Sequence, residues 1–170
     1  MEVLTMASTI TINNLTNNDI MYRNFEGIQK ENNNAGQRNF VVKLTNEQAT
    51  ELQKSGHYIK MSKPDRDGNQ YPYVQVKVNM DSKWPPMFEI FTNKGRVEYG
   101  ADEIKALDRA NIVGADIVLN SYLKSGGDHY TLYLREFHAA IKDPDNSKKY
   151  LEMLKESGLD NNDDDDDMLF

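Results

Sequence analysis

Aromatic and basic side chains are interleaved along much of this sequence. Lys54, His57, Tyr58, Lys60 and Lys63 fall between residues 54 and 64 with no acid among them. Tyr73 and Lys77 alternate with Val74, Val76 and Val78, so they share the outward face of a strand whose valines turn inward. Lys83 and Trp84 precede Pro85-Pro86, which places the tryptophan in a loop rather than deep in a core. Lys94 and Arg96 flank a turn, Tyr122 and Lys124 fall in an expected loop before Gly126-Gly127, and Tyr133 and Arg135 lie opposite Leu132 and Leu134. Flat rings offer stacking faces, and ammonium and guanidinium groups meet phosphates. The combination suits a polyanion that carries planar bases, each stacked base contributing about 1–3 kcal/mol. A single lysine of this set is an ordinary solvated side chain; the collective pattern carries the expectation. Phe40, Phe88, Phe91 and Phe137 are expected in the core, and Tyr150 against its own helix.

Catalytic constellations are harder to find. His57, His129 and His138 are not at a metal-ligand spacing, and there is no cysteine for a thiolate site or a disulfide. Gly126-Gly127 lacks the Lys-Ser/Thr of a phosphate-binding loop. The string 143–147 (Asp-Pro-Asp-Asn-Ser) imitates part of a calcium loop, but the glycine and closing glutamate are missing, so helix capping explains it better. No enzyme activity, metal or cofactor is expected.

These candidate residues need a scaffold, and the sequence supplies mostly strands. Segments 39–44, 73–78, 87–92, 96–99, 112–119 and 129–141 read as strands, with Asn93-Lys94-Gly95 as a hairpin turn. Alternation slips near Glu136, which indicates a bulge. Three short helices are expected. Residues 45–55 open with Thr45 and Gln48 in capping-box spacing and close at Gly56; 101–110 and 147–157 follow. Polar loops are expected at 32–36 and 63–70. The order of strands, with a helix before the last two, is that of a five-stranded OB-fold barrel, with 45–61 inserted between its first two strands. The fold class is therefore mainly β, with short helices. No apolar run nears the roughly 18 residues that span a bilayer, and the first eight residues lack the basic flank and apolar stretch of a signal peptide. Met6-Ala7-Ser8 is an alternative beginning. A cytoplasmic protein that does not engage membranes is expected.

Charge divides the chain. The sequence holds 20 Lys and Arg against 27 Asp and Glu, a net −7. All the cations precede Gly158, whereas Asp160 and Asp163 to Asp167 follow it, so residues 1–158 are nearly neutral and residues 159–170 strongly acidic. Asp163, Asp164, Asp165, Asp166 and Asp167 repel one another and favour a solvated, disordered tail. Met168, Leu169 and Phe170 then end the chain. Three apolar residues after a polyanion suit a plug for a cation-rimmed pocket on another protein.

Here the sequence resembles bacterial and bacteriophage single-stranded DNA-binding proteins, which carry an OB-fold and an acidic tail ending in Phe. The tail 163–170 carries the resemblance most specifically. Tyr71 to Lys77, Trp84-Pro85-Pro86 and Tyr133 to His138 are also similar to the phage members. Leu169 stands where bacterial members usually have proline, and their long Gly/Gln/Pro-rich linker is missing, so the likeness is to the phage proteins. The resemblance implies sequence-nonspecific binding and protection of single-stranded DNA in replication, recombination and repair. It also implies recruitment of a replicative polymerase and helicase/primase by the tail, which covers the protein's own groove when DNA is absent. It leaves monomer and homodimer open. It places the chain in the cytoplasm of a bacterial host.

Two other readings stand beside this one. An acidic DNA mimic or adaptor would bind a DNA-processing protein, and it would spread acids over its folded surface instead of concentrating them in the tail. An RNA-binding OB protein is indistinguishable by sequence.

Overall fold

The computed structural model describes residues 4–30, 33–124 and 130–142. Among these residues nine strands form one sheet: β1 (Leu4–Leu15), β2 (Ile20–Asn24), β3 (Arg38–Lys43), β4 (Lys60–Met61), β5 (Pro72–Val78), β6 (Met87–Thr92), β7 (Gly95–Tyr99), β8 (Asn111–Lys124) and β9 (Tyr130–Lys142). One α-helix, α1 (Asn46–Lys54), separates β3 from β4.

The main path through the sheet runs β1-β8-β9-β5-β3-β2. Its two ends, β1 and β2, are consecutive in the chain and are joined by a single 3-10 turn at Asn17–Asp19. They act as one interrupted strand that pairs with β8 along its first half and with β3 along its second. The path therefore bends back around one core, in the partly open five-strand arrangement of the OB-fold. Phe25 occupies its middle, stacked on Phe40 at 5.1 Å and meeting Phe88 and Phe137 edge-on at 5.8 and 5.6 Å.

Two expectations about the barrel need correction. Its first strand is not 39–44 but β1 with β2, whose alternation is confined to Thr9-Ile10-Thr11-Ile12 and breaks off at Asn13-Asn14; 39–44 corresponds to the second strand, β3. The strand at 112–119 extends to Lys124, so Tyr122 and Lys124 lie on β8 and not in the loop that follows it. The β6–β7 hairpin and the α1–β4 segment are additions to the five-strand order; because 39–44 is the second strand, 45–61 falls between the second and third strands and not, as expected, between the first two.

Local signals were otherwise followed closely. The Thr45–Gln48 capping box is present, with Gln48 N–H donating to Thr45 Oγ1 at 3.1 Å and Thr45 N–H to Gln48 Oε1 at 2.8 Å. The bulge expected near Glu136 falls at Arg135: Val118 pairs with Glu136 but Leu119 pairs with Leu134. The expected helix 101–110 is instead a 3-10 helix at Ile104–Asp108. Its buried residues Ile104 and Leu107 are three apart, the spacing that a three-residue turn eclipses. Phe40, Phe88 and Phe137 are fully buried, but Phe91 is 38% exposed, because it faces outward from β6 beside the hairpin tip. The expected helix at 147–157 with Tyr150, its capping residues and the tail 159–170 lie outside the described residues.

Candidate nucleic-acid interface

Strand β5 forms the floor of a long surface depression. Val74, Val76 and Val78 point into the core, which turns Gln75 and Lys77 outward. Beside it runs the first half of β9, in parallel register, with Lys77 opposite Tyr133. Three adjoining hollows follow this seam. One is lined by His57, Tyr58, Lys60, Gln75, Lys77 and Tyr130. The middle one shares Gln75 and Lys77 and adds Arg38, Gln37, Asn79 and Tyr133. The third shares Asn79 and Tyr133 and adds Trp84, Asn120 and Tyr122. Shared walls make them one groove, with rings at both ends, cations between, and no Asp or Glu in the lining of any of the three.

The walls are built by local chemistry. At one end His57 is buried. Its Nδ1–H donates to the Leu52 carbonyl at 3.2 Å, which leaves Nε2 to accept from the Ser121 hydroxyl at 2.6 Å. Burial lowers its pKa, only partly countered by the Leu52 hydrogen bond, so the ring is neutral. It packs on Tyr130 at 4.6 Å between centroids. Gly56, at φ +90°, also lies against that tyrosine, where an added Cβ would stand 3.4 Å from Tyr130 Cε2. The α1–β4 addition thus packs against Tyr130 at the groove edge.

The middle wall is the loop between β2 and β3. Asn24 is buried, accepts from Gly27 N–H and Ile28 N–H, and donates to the Ile28 carbonyl. Asn33 donates to the carbonyls of Ile28, Asn34 and Gln37, and accepts from Asn39 at 2.6 Å. These amides fix a loop that the sequence marked only as polar. The Arg38 stem lies against Gly27, where an added Cβ would meet Arg38 Cγ at 3.3 Å. Arg38 Nε is buried and has no hydrogen-bond partner among the described residues. At the far end Tyr122 and Tyr133 meet edge-on at 5.6 Å, and Trp84 is 83% exposed with Lys83 Nζ 5.7 Å from its ring.

Residues 5–168 match the family model described as "Putative phage ssDNA-binding domain". The chain belongs to this family. Among solved structures it is similar to the single-stranded DNA-binding protein from bacteriophage Enc34 in a C-terminally truncated form, at TM-score 0.48 and 11% identity, covering 82% of this chain and 96% of that one. No curated protein sequence matches. Family membership supports single-stranded DNA binding, the ligand class for which the family is described.

Seen against that ligand class, the residues expected from sequence divide into two groups. Tyr58, Lys60, Lys77, Trp84, Tyr122 and Tyr133 line the groove, with Lys83 beside Trp84. Tyr73 lies farther along the outward face of β5, edge-on to Tyr71 at 6.4 Å and opposite Lys60 in register. Lys63 is exposed in the following loop, and Lys54 pairs with Glu51 on α1 at 3.4 Å. The Lys124 side chain lies outside the described residues. Lys94 and Arg96 are carried away on the β6–β7 hairpin, where Arg96 forms an ion pair with Glu89; Arg135 sits at the bulge, 3.8 Å from Glu136. Sequence reading missed Arg38, Tyr130 and the groove amides. Arg38 adjoins an asparagine-rich loop, and its nearest aromatic, Phe40, is expected in the core. Tyr130 has the same parity as Leu132 and Leu134, which marks it as core.

Beyond the groove, His138 lies between two carboxylates, with Nδ1 2.8 Å from Glu89 Oε1 and Nε2 2.8 Å from Glu136 Oε1. Burial alone would lower its pKa, but the hydrogen bonds to Glu136 and Glu89 outweigh it and hold the pKa above 6.5. Glu89 is in turn held below its ordinary value, first by Arg96 and then by His138. No group of three or more His, Asp or Glu side chains suited to a metal occurs among the described residues. Nor does any described helix have the length and apolarity to cross a membrane.

Proposed function

We propose that one DNA strand lies along this groove with little regard for sequence, its phosphates met by Lys60, Lys77 and Arg38 and its bases stacked on Tyr58, Tyr130, Tyr133, Tyr122 and Trp84. The observation that carries the reading is an unbroken depression over β5 with rings at both ends, cations between and no acid in its lining. The unpartnered Arg38 Nε supports it further, since a buried N–H without a partner is costly until an acceptor such as a phosphate oxygen arrives. Ring stacking tolerates every base. Gln37, Gln75, Asn79 and Asn120 each offer both a donor and an acceptor, so they adapt to different base edges. The groove also lies where OB-folds hold oligonucleotides, over the second and third strands beside the loop that joins the first two.

The tail completes the reading. Asp163 to Asp167 are a tethered polyanion with a high effective concentration near the groove, and DNA displaces them. Once released, they and Met168-Leu169-Phe170 recruit a replicative polymerase and a helicase/primase. The protein thereby protects single strands and brings replication, recombination and repair enzymes to them, without catalysing a reaction itself, in the cytoplasm of a bacterial host.

An oligo(dT) titration tests both halves. Trp84 fluorescence falls on saturation in the full chain, and removal of residues 160–170 tightens binding severalfold. An unchanged Trp84 signal removes that ring from the site. Weaker binding after truncation rules out the tail as competitor.

A further inference from the structure

The β6–β7 hairpin contributes nothing to the groove, yet it ends the sheet on that side. Among the described residues β7 pairs with β6 alone. Its residues 95–98 are all exposed. An open strand edge is a template for another strand, and its side chains decide which partner it accepts.

We propose that β7 is a self-association edge, on which two copies of this chain pair their β7 strands antiparallel about a two-fold axis through Val97. In that register Arg96 stands opposite the second copy's Glu98, Glu98 opposite its Arg96, and Val97 opposite Val97. Gly95 stands opposite Tyr99, so the smallest residue of the strand faces the largest. The triplet Arg96-Val97-Glu98 is thus its own complement in charge, which holds only for an antiparallel partner in this register.

The surrounding sheet gives the pairing a driving force. Glu98 sits directly opposite Glu89 across the hairpin, and Glu89 lies beside His138 on β9. Like charges directly opposite are unfavourable, and Arg96 is already committed to Glu89. Glu98 therefore ends an acid-rich row at the edge of the sheet. The second copy's Arg96, itself held by its own Glu89, brings a guanidinium opposite Glu98, so that each Arg96 lies between a carboxylate of its own chain and one of the other. On the other face of the strand Val97 pairs with fully buried Ile90 but remains 39% exposed, so a second Val97 extends the core across the seam. Five-residue edges bury little surface, which puts this pairing at the weak, concentration-dependent end of specific interfaces.

Sedimentation velocity on the full chain over a concentration series, without DNA, tests the proposal. The unaltered protein forms dimers as concentration rises, and added salt weakens them. Arg96→Glu and Glu98→Arg each give monomers, because each places like charges opposite one another. An equimolar mixture of the two variants restores dimers, and so does the double exchange Arg96→Glu/Glu98→Arg in one chain. The proposal is overturned if the unaltered chain stays monomeric throughout, or if neither mixture nor double exchange recovers association. Dimers that survive both single changes but vanish on removal of residues 159–170 also overturn it, since they assign the contact to the tail.

Discussion

Strand β9 meets solvent in two different ways on either side of its bulge. Before Arg135, Tyr130 and Tyr133 border a groove lined by Lys60, Lys77 and Arg38 with no acid. After it, Glu136 and His138 join Glu89 and Arg96 in a network of paired charges. The first half runs beside β5 and the second beside β6, so one extra residue marks the change from a cationic surface with no acid in its described lining to a self-neutralised one. The near-zero charge of the body conceals this. Its acids are not missing; on the β6–β7 side Glu89 and Glu136 are matched by Arg96 and His138, and none of these carboxylates reaches the groove's cations.

The sharpest way to break the contrast is to remove equal charge from each region. Lys60→Gln with Lys77→Gln removes two cations from the groove, and Lys94→Gln with Arg96→Gln removes two from the hairpin. If the groove holds phosphates, the first pair weakens oligo(dT) binding strongly and lowers the slope of log affinity against log salt by about 1.4, at roughly 0.7 per phosphate contact on single strands. The second pair leaves the slope nearly unchanged. Equal losses from both would mean that net charge, not the groove, governs binding.

The sequence made one side of this contrast more legible than the other. The alternation Val74-Gln75-Val76-Lys77-Val78, the turn before Gly95, the Thr45 capping box and the slip beside Glu136 are local signals, and each corresponds to an observed feature. The groove is not local. It exists because β5 and β9 run parallel with Lys77 opposite Tyr133, a pairing between segments more than fifty residues apart that no short pattern encodes. The sheet also brings in Arg38, through β3, and Tyr130, through β9; both have the right chemistry, but no local pattern marks them as surface residues. Conversely, Lys94 and Arg96 have the right chemistry for a groove, but β6 docks on the wrong half of β9 to bring them there. β1 escaped notice because only Ile12 and Leu15 of its described side chains are buried, too few to stand out among Thr, Ser and Asn.

A smaller effect is expected from single rings. Tyr133→Ala costs about 1–3 kcal/mol of oligo(dT) affinity if a base stacks there, while Tyr133→Phe keeps most of it. Phe91→Ala is the matched control, an exposed aromatic on the hairpin side, and leaves affinity unchanged. The comparison fails if Phe91 matters as much as Tyr133 in a fluorescence anisotropy titration. It becomes sharper if the Tyr133→Ala loss is insensitive to salt, because stacking, unlike phosphate contact, releases no counterions.

The smallest expected effect is on stability, and here the two regions titrate with opposite sign. His57 beside the groove has a lowered pKa, so the unfolded chain takes up a proton before the folded one does, and His57 costs stability as pH falls below 6.5. His138, held by Glu136 and Glu89, has a raised pKa; its contribution is complete below 6.5 and is lost as pH rises through the raised value. Urea unfolding between about pH 5 and about pH 8 separates the two. His57→Gln flattens the acid side of the profile, since a glutamine amide takes up no proton there. His138→Gln flattens the neutral-to-alkaline side and leaves the acid side as it was. The same change on both sides from either variant would mean that the two histidines share one titration. The division of β9 at its bulge would then be geometric only, without the separation of charge that keeps acids away from the groove.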